Sequence, residues 1–299
     1  MSSIFRPDLL AGKRILITGG GTGLGRIMAN HLADHGATVH LWGRRPPVLQ
    51  EAADEIDAKH GAGTAHVAAV NIRDADAVDA AMQAIWDGHG PLTGVINNAA
   101  ANFIAPTKDL SARGYEAVNS TVMDGSFFTT HAAGRRWIAQ GLPGSVLSML
   151  TTWVWSGSAF VTSSAMAKAA VHAMTMSLAV EWGGYGIRLN ALAPGPIPTE
   201  YAWQMLNPTD DSAVGATQAD TIPMQRHGRP EELGNLVVFM MSDACDYLTG
   251  ATIPMDGGQR LAGPGTFAGL TKLSDEAWAQ AREQSKAASA EAKAQRSTT

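Results

Sequence analysis

Short apolar, β-branched runs alternate with longer stretches of helical period along most of the chain. Arg14–Thr18, Thr38–Trp42, Ala65–Val70, Val95–Asn97, Ser145–Leu150, Ile187–Ala193 and Thr252–Met255 read as strands. Leu24–His35 carries Leu24, Ile27, Met28 and Leu32 on one helical stripe, and Asp74–Asp87 turns Val78, Met82, Ile85 and Trp86 inward. Pro46–His60 opens with prolines at a helix start and keeps its acidic residues along one face. Ser111–Gln140 reads as one long helix or two, and Ser163–Trp182 and Pro230–Ser242 as further helices. Apolar strands alternating with helices predict an α/β chain, a parallel sheet with helices on both faces, doubly wound. Residues 1–265 form the expected single domain. Within it the weakly periodic segment 194–223 is the expected substrate lid, because loops of that length usually carry function. Residues 266–299 are the expected helical tail, partly solvated, since the last part is Ala, Gln, Glu and Lys with little apolar content.

Composition narrows the function. The 299 residues hold 22 Lys plus Arg against 27 Asp plus Glu, a net charge of −5 that argues against nucleic acid as a partner. No apolar run approaches the ~18 residues that a membrane helix needs. Met1–Lys13 has no apolar core of a secretion signal, so a cytoplasmic setting is expected. One cysteine, Cys245, excludes an internal disulfide and a cysteine zinc cage. The nine histidines show no metal-like spacing. His31 and His35 stand four apart on the first helix without a third ligand, and read as surface residues, so no metal is expected. The 32 glycines are more than an average chain carries, and the 4 tyrosines are few beside 8 tryptophans.

Thr18-Gly19-Gly20-Gly21-Thr22-Gly23-Leu24-Gly25 lies between the first strand and the first helix. Glycine allows a sharp turn and close approach of a pyrophosphate to the free N–H groups of the helix start. In that context the loop is a specific signal for a dinucleotide on a Rossmann-type sheet.

The spacing Thr-Gly-x-x-x-Gly-x-Gly resembles the short-chain dehydrogenase/reductase family. Asn97-Asn98-Ala99-Ala100, Lys168, Pro194-Gly195 with Thr199, and Asp256-Gly257-Gly258 follow in the family's order, so the resemblance covers about residues 10 to 260. It implies a cofactor site of Gly19, Thr22, Gly23, Leu24, Gly25, Asn98, Lys168, Pro194, Gly195, Ile197 and Thr199. After the second strand, Trp42-Gly43-Arg44-Arg45 presents two guanidiniums where an acidic residue would select NAD. Arg44 therefore points to a 2′-phosphate and to NADP (NADPH). Asn71 stands where the family usually has an aspartate facing adenine.

The resemblance breaks at the chemistry. Carbonyl reduction in this family uses Tyr-x-x-x-Lys, with both residues on one helix face. Here the segment is Ser164-Ala165-Met166-Ala167-Lys168, with Thr151 at the family's serine and Asp124 one residue before the helix glycine, Gly125. Asn97 through Thr107, Thr151-Thr152, Gly157-Ser158-Ala159-Phe160, Ser164 to Lys168, Glu181-Trp182-Gly183 and Pro194 to Ile197 resemble the NADPH-dependent 2,4-dienoyl-CoA reductases, which also place serine before the lysine. Leu273–Gln280 resembles that branch's C-terminal helix. The branch implies hydride addition to a conjugated acyl-CoA thioester, with charge collecting on the thioester oxygen. Lys168, Ser164, Thr151 and Asp124 are then the candidate catalytic residues, with an indole N–H of Trp153 or Trp155 as a substitute donor. Trp153, Trp155 and Trp203 line an acyl pocket or belong to the core. Two alternatives stay open. One is a carbonyl or alcohol oxidoreductase using Tyr201 or water as the acid. The other is an isomerase, a lyase with Asp124 as base, or a non-catalytic nucleotide-bound subunit. By family analogy Ser111–Gln140 and Ser163–Trp182 are candidate surfaces for a homo-oligomer, a dimer or tetramer.

Overall fold

A computed structural model of the chain describes residues 5–102, 104–199, 219–263, 274, 276–277 and 279–280. Tyr201, Trp203, most of the 194–223 segment and most of the expected tail lie outside them. Seven parallel strands run β1 Arg14–Thr18, β2 Thr38–Gly43, β3 Ala65–Ala69, β4 Gly94–Asn97, β5 Gly144–Met149, β6 Ile187–Pro194 and β7 Thr252–Met255. They pair in the order β3-β2-β1-β4-β5-β6-β7. The order reverses between β1 and β4, the crevice where open α/β sheets bind their ligands. Helices join each strand to the next and one follows the last: α1 Gly23–Ala33, α2 Pro46–His60, α3 Ala75–His89, α4 Ala112–Asn119, α5 Gly125–Gln140, α6 Trp153–Ser156, α7 Thr162–Trp182, α8 Pro230–Met241 and, after β7, α9 Gln259–Ala262.

Side-chain alternation along the strands divides the core into two layers. Ile15 and Ile17 of β1 face α1, α2 and α8, meeting Met28, Leu32, Leu49, Leu233 and Val237. Leu16, between them, faces the other side with Trp42, Val95 and Val146, under Val78 and Met82 of α3, Trp137 of α5 and Trp182 of α7. A third, smaller cluster joins Val118 and Val122 to Ala167 and Val171 of α7. Full burial of one such aliphatic side chain contributes about 1.5–3 kcal/mol. α3 starts on Asp74, whose side chain accepts from the amides of Asp76 and Ala77, a cap that holds the helix entry.

Three expectations change. The segment 111–140 is neither one regular helix nor two separate ones: a π turn, Ser120–Asp124, joins α4 to α5. The cause is local. Asn119, Ser120, Thr121 and Ser126 each donate a side-chain hydrogen bond to the carbonyl four residues earlier, competing with the regular ladder. The short helices α6 and α9 were not anticipated. His35 is buried, not on the surface: its Nδ1 lies 2.7 Å from the His31 carbonyl oxygen, and the Leu10 amide donates to the His35 carbonyl at 2.8 Å. The segment before β1 folds back over this end of α1, placing Phe5 edge-on to His35 at 6.0 Å between ring centroids.

Candidate active site

The glycine loop begins at Thr18, which is buried at the end of β1. Its Oγ1 accepts from the amides of Asn98 at 3.0 Å and Ala99 at 3.1 Å, tying the loop to the end of β4. Asn98 Nδ2 returns hydrogen bonds to the carbonyls of Thr18 at 3.0 Å and Gly19 at 3.3 Å. Gly19 and Gly23 both take positive φ, +67° and +53°, which explains glycine at these two places. Gly25 is required for a different reason. A Cβ there would overlap the Gly19 carbonyl oxygen and stand 2.7 Å from Asn98 Nδ2. Thr22 is the N-cap of α1 and makes no side-chain cap, so the first amides of α1 keep their donors for an anion.

The other candidate cofactor residues gather around this crevice. Thr199 Oγ1 comes 3.7 Å from where a Gly23 Cβ would stand, and this buried oxygen has no hydrogen-bond partner among the described residues. Leu24 is half-buried at the start of α1, and Ile197 is buried beside the Pro194-Gly195 turn. Gly195 donates to the Met255 carbonyl at 2.9 Å and packs so closely that a Cβ would lie 2.8 Å from Asp256 Cα. At the end of β2, Arg44 and Arg45 are exposed and form no ion pair among the described residues. Asn71, past β3, is exposed and its Oδ1 accepts weakly from the Arg73 amide at 3.4 Å. A loop open to an anion, a threonine hydroxyl without a partner and two free guanidiniums fit a phosphorylated dinucleotide.

Lys168 and Ser164 share the start of α7 beside the end of β5, which Thr151 follows, and the π turn that ends on Asp124 packs against α7 through Val122. Lys168 is buried and donates to the Met149 carbonyl at the end of β5. Burial lowers its pKa from 10.5 to about 8, so the amine stays cationic at neutral pH. Ser164, one helical turn earlier, is buried, and its hydroxyl makes no hydrogen bond among the described residues. Thr151 Oγ1 accepts from the Trp153 amide at 3.2 Å, which leaves its hydroxyl hydrogen for another acceptor. Asp124 ends the π turn, half-buried and without an ion pair among the described residues. Among those residues no group of three or more His, Cys, Asp or Glu side chains is placed to hold a metal ion.

A family model described as enoyl-(acyl carrier protein) reductase matches residues 19–260. An uncharacterized oxidoreductase of Caenorhabditis elegans is 42% identical over 276 residues, 91% of this chain and 88% of that one. A probable 2,4-dienoyl-CoA reductase of Bacillus subtilis is 40% identical over 250 residues, 83% of this chain and 97% of that one. The chain belongs to the short-chain dehydrogenase/reductase family. Among solved members, a gluconate 5-dehydrogenase from Burkholderia cenocepacia in complex with NADP and tartrate superposes with a TM-score of 0.78 at 28% identity. It covers 85% of this chain and 97% of its own. This short-chain dehydrogenase/reductase is thus an oxidoreductase with a nucleotide-binding sheet.

One contact beyond the carboxyl end of the sheet has no motif in the sequence. Arg260 of α9 lies over the Trp155 ring of α6, 5.0 Å from its centroid. The only sequence signal is an arginine soon after Asp256-Gly257-Gly258, and nothing local connects it to Trp155. Among the described residues no helix is long and apolar enough to cross a membrane.

Proposed function

We propose that this protein is an NADPH-dependent reductase of conjugated acyl-CoA thioesters, acting on a CH–CH bond of a 2,4-dienoyl-CoA. The observation that carries the reading is buried Ser164 one turn before buried Lys168, where carbonyl reduction would need a tyrosine. A serine hydroxyl is too weak and too short to protonate a developing alkoxide. A conjugated thioester does not ask for that, because its negative charge spreads from the thioester oxygen along the chain and needs hydrogen-bond donors and a nearby cation. Thr151 supplies a free hydroxyl hydrogen, and Lys168 supplies the cation. Lys168 also holds the nicotinamide ribose hydroxyls, its position set by the Met149 carbonyl. Asp124 is the carboxylate available to pass a solvent proton to carbon, being half-buried and unpaired among the described residues.

The nicotinamide, when bound, supplies a hydride to the far end of the diene. The chain's share is to place it. The α1 amides and the Gly19–Gly25 loop hold the diphosphate, Thr199 and the Pro194-Gly195 turn hold the carboxamide, Arg44 takes the 2′-phosphate and Asn71 accepts from the adenine amino group. The name of the Bacillus subtilis relative supports the substrate class. Exposed Phe127, Met166, Met176 and Val180 on α5 and α7 support self-association through these helices, and a cytoplasmic setting completes the reading. The test mixes the protein with NADPH and a 2,4-dienoyl-CoA and follows nicotinamide absorbance. Rapid loss with the dienoyl thioester and little with simple ketones is expected. The reverse ranking overturns the proposal.

A further inference from the structure

Arg260 has a fixed place but no anionic partner. Its guanidinium stacks over Trp155, its Nε is buried without a hydrogen-bond acceptor, and no acidic side chain pairs with it among the described residues. The nearby Asp256 carboxylate accepts from the amides of Gly258 and of Arg260 itself, each at 2.9 Å, and forms no ion pair with the guanidinium. Leaving a partly desolvated guanidinium unpaired is costly, so the arrangement calls for a ligand.

The surroundings say at which end of the sheet that ligand sits. Trp155 stands on α6, which begins directly after Thr151 and Thr152, and the ring is 43% exposed. Its edge meets His172 at 6.1 Å between centroids, one helical turn beyond Lys168 on α7, and His172 Nδ1 lies 2.9 Å from Thr252 Oγ1 of β7. Asp256, which anchors the Arg260 amide, packs against Gly195. The cation therefore bridges the carboxyl ends of β5, β6 and β7. Arg44 sits at the end of β2, five strand spacings away in the sheet, roughly 24 Å at ~4.8 Å per spacing. The residues proposed to hold the dinucleotide's phosphates, the Gly19–Gly25 loop and Arg44, lie on that other half, so Arg260 serves a different anion.

We propose that Arg260, seated on Trp155, is a specificity residue that binds a phosphate of the coenzyme A portion of the substrate. The inference rests on the thioester reading above and deepens it. The indole carries the guanidinium by cation–π attraction and holds it in one orientation, leaving the two terminal nitrogens for a bidentate phosphate. Exposed Leu261 beside it adds apolar surface.

Calorimetric titration of the NADPH-loaded protein with free coenzyme A tests this apart from turnover. Arg260→Met should weaken coenzyme A binding about tenfold or more, the usual loss for a hydrogen bond to a charged group. Arg260→Lys should recover part of it by keeping the charge. Pantetheine, which lacks the nucleotide phosphates, should bind wild type and Arg260→Met alike, and inorganic phosphate should compete only weakly. Equal coenzyme A affinity across the three proteins, or no binding to wild type, overturns the assignment. Coenzyme A binding that depends on Arg260 in a protein that does not reduce the dienoyl thioester would instead overturn the reductase reading and leave the phosphate contact standing.

Discussion

Acid should destabilise this protein in part through one buried imidazole, and replacing it should remove that part of the sensitivity. His40 sits in the middle of β2, 3% exposed, directly opposite His66 of β3 in register. Its ring centroid is 5.0 Å from His66 and 5.1 Å from His89 of α3, and those two are 4.0 Å apart. The three rings line a cavity of about 140 Å³ with Trp42, Val67 and Ile85, and His40 Nε2 is buried there with no partner. Burial first, and then His66, His89 and Arg14, hold the His40 pKa down from 6.5 to about 3. Burial and His89 also lower His66, while Asp57 and the Gly63 backbone work the other way. A folded pKa below the unfolded one means stability that is fully present above about pH 6.5. It is lost as pH falls from there toward about 3, because only the unfolded chain takes the proton. At about pH 5 the loss from His40 alone is about 2 kcal/mol, near 30-fold in the unfolding constant, and it does not depend on the folded value so long as that stays below about 4. Urea unfolding at about pH 7.5 and about pH 5 measures it. Other groups titrate in this window, so the informative quantity is wild type minus His40→Leu, a swap of similar bulk. The difference in acid sensitivity should be about 2 kcal/mol. Equal losses in the two proteins would refute the reasoning.

The nucleotide and catalytic assignments make sharper demands. Arg44→Ala should weaken NADPH about tenfold or more by fluorescence titration and leave NADH nearly unchanged, since only the 2′-phosphate uses the guanidinium. Gly25→Ala forces a methyl group against the Gly19 carbonyl and Asn98, and should lower stability by about 1–3 kcal/mol and weaken both nucleotides together. Lys168→Met should reduce kcat about a hundredfold. The wild-type rate should fall as pH rises through about 8, where Lys168 loses its charge, and that alkaline limb should be missing in the variant.

The strands and long helices were legible because their signals are local and repeated. Arg14–Thr18 and Thr252–Met255 match the expected bounds, and the inward stripe Val78, Met82, Ile85 and Trp86 is the buried face of α3. Four-residue helices such as α6 and α9 are too short for any periodicity to appear. The π turn was hidden by continuity, since Asn119, Ser120 and Thr121 interrupt a helix that otherwise reads through them. The nucleotide loop was legible for the same reason as the strands, its whole geometry being held in eight consecutive residues and one asparagine. Contacts between distant segments were not. His35 was misread because Phe5 and Leu10 cover it from outside its helix. The His40, His66 and His89 cluster and the Arg260–Trp155 stack arise only when separate strands and helices meet.

The scarcity of tyrosine gains its meaning from where the lysine points. In a Tyr-x-x-x-Lys pair the cation acts through the phenol, lowering its pKa so that a proton is ready for the substrate oxygen. Here Lys168 donates to a backbone carbonyl, and the Ser164 hydroxyl before it makes no hydrogen bond among the described residues. General acid catalysis is worth about 10²–10⁴ in rate, and this site has given up the residue that would supply it at oxygen. What remains is a desolvated cation and a threonine hydroxyl at the end of β5, with a half-buried carboxylate across the π turn. The cation and the hydroxyl stabilise negative charge without neutralising it. They therefore favour a substrate whose anion is already delocalised, and a conjugated thioester meets that condition where a simple ketone does not.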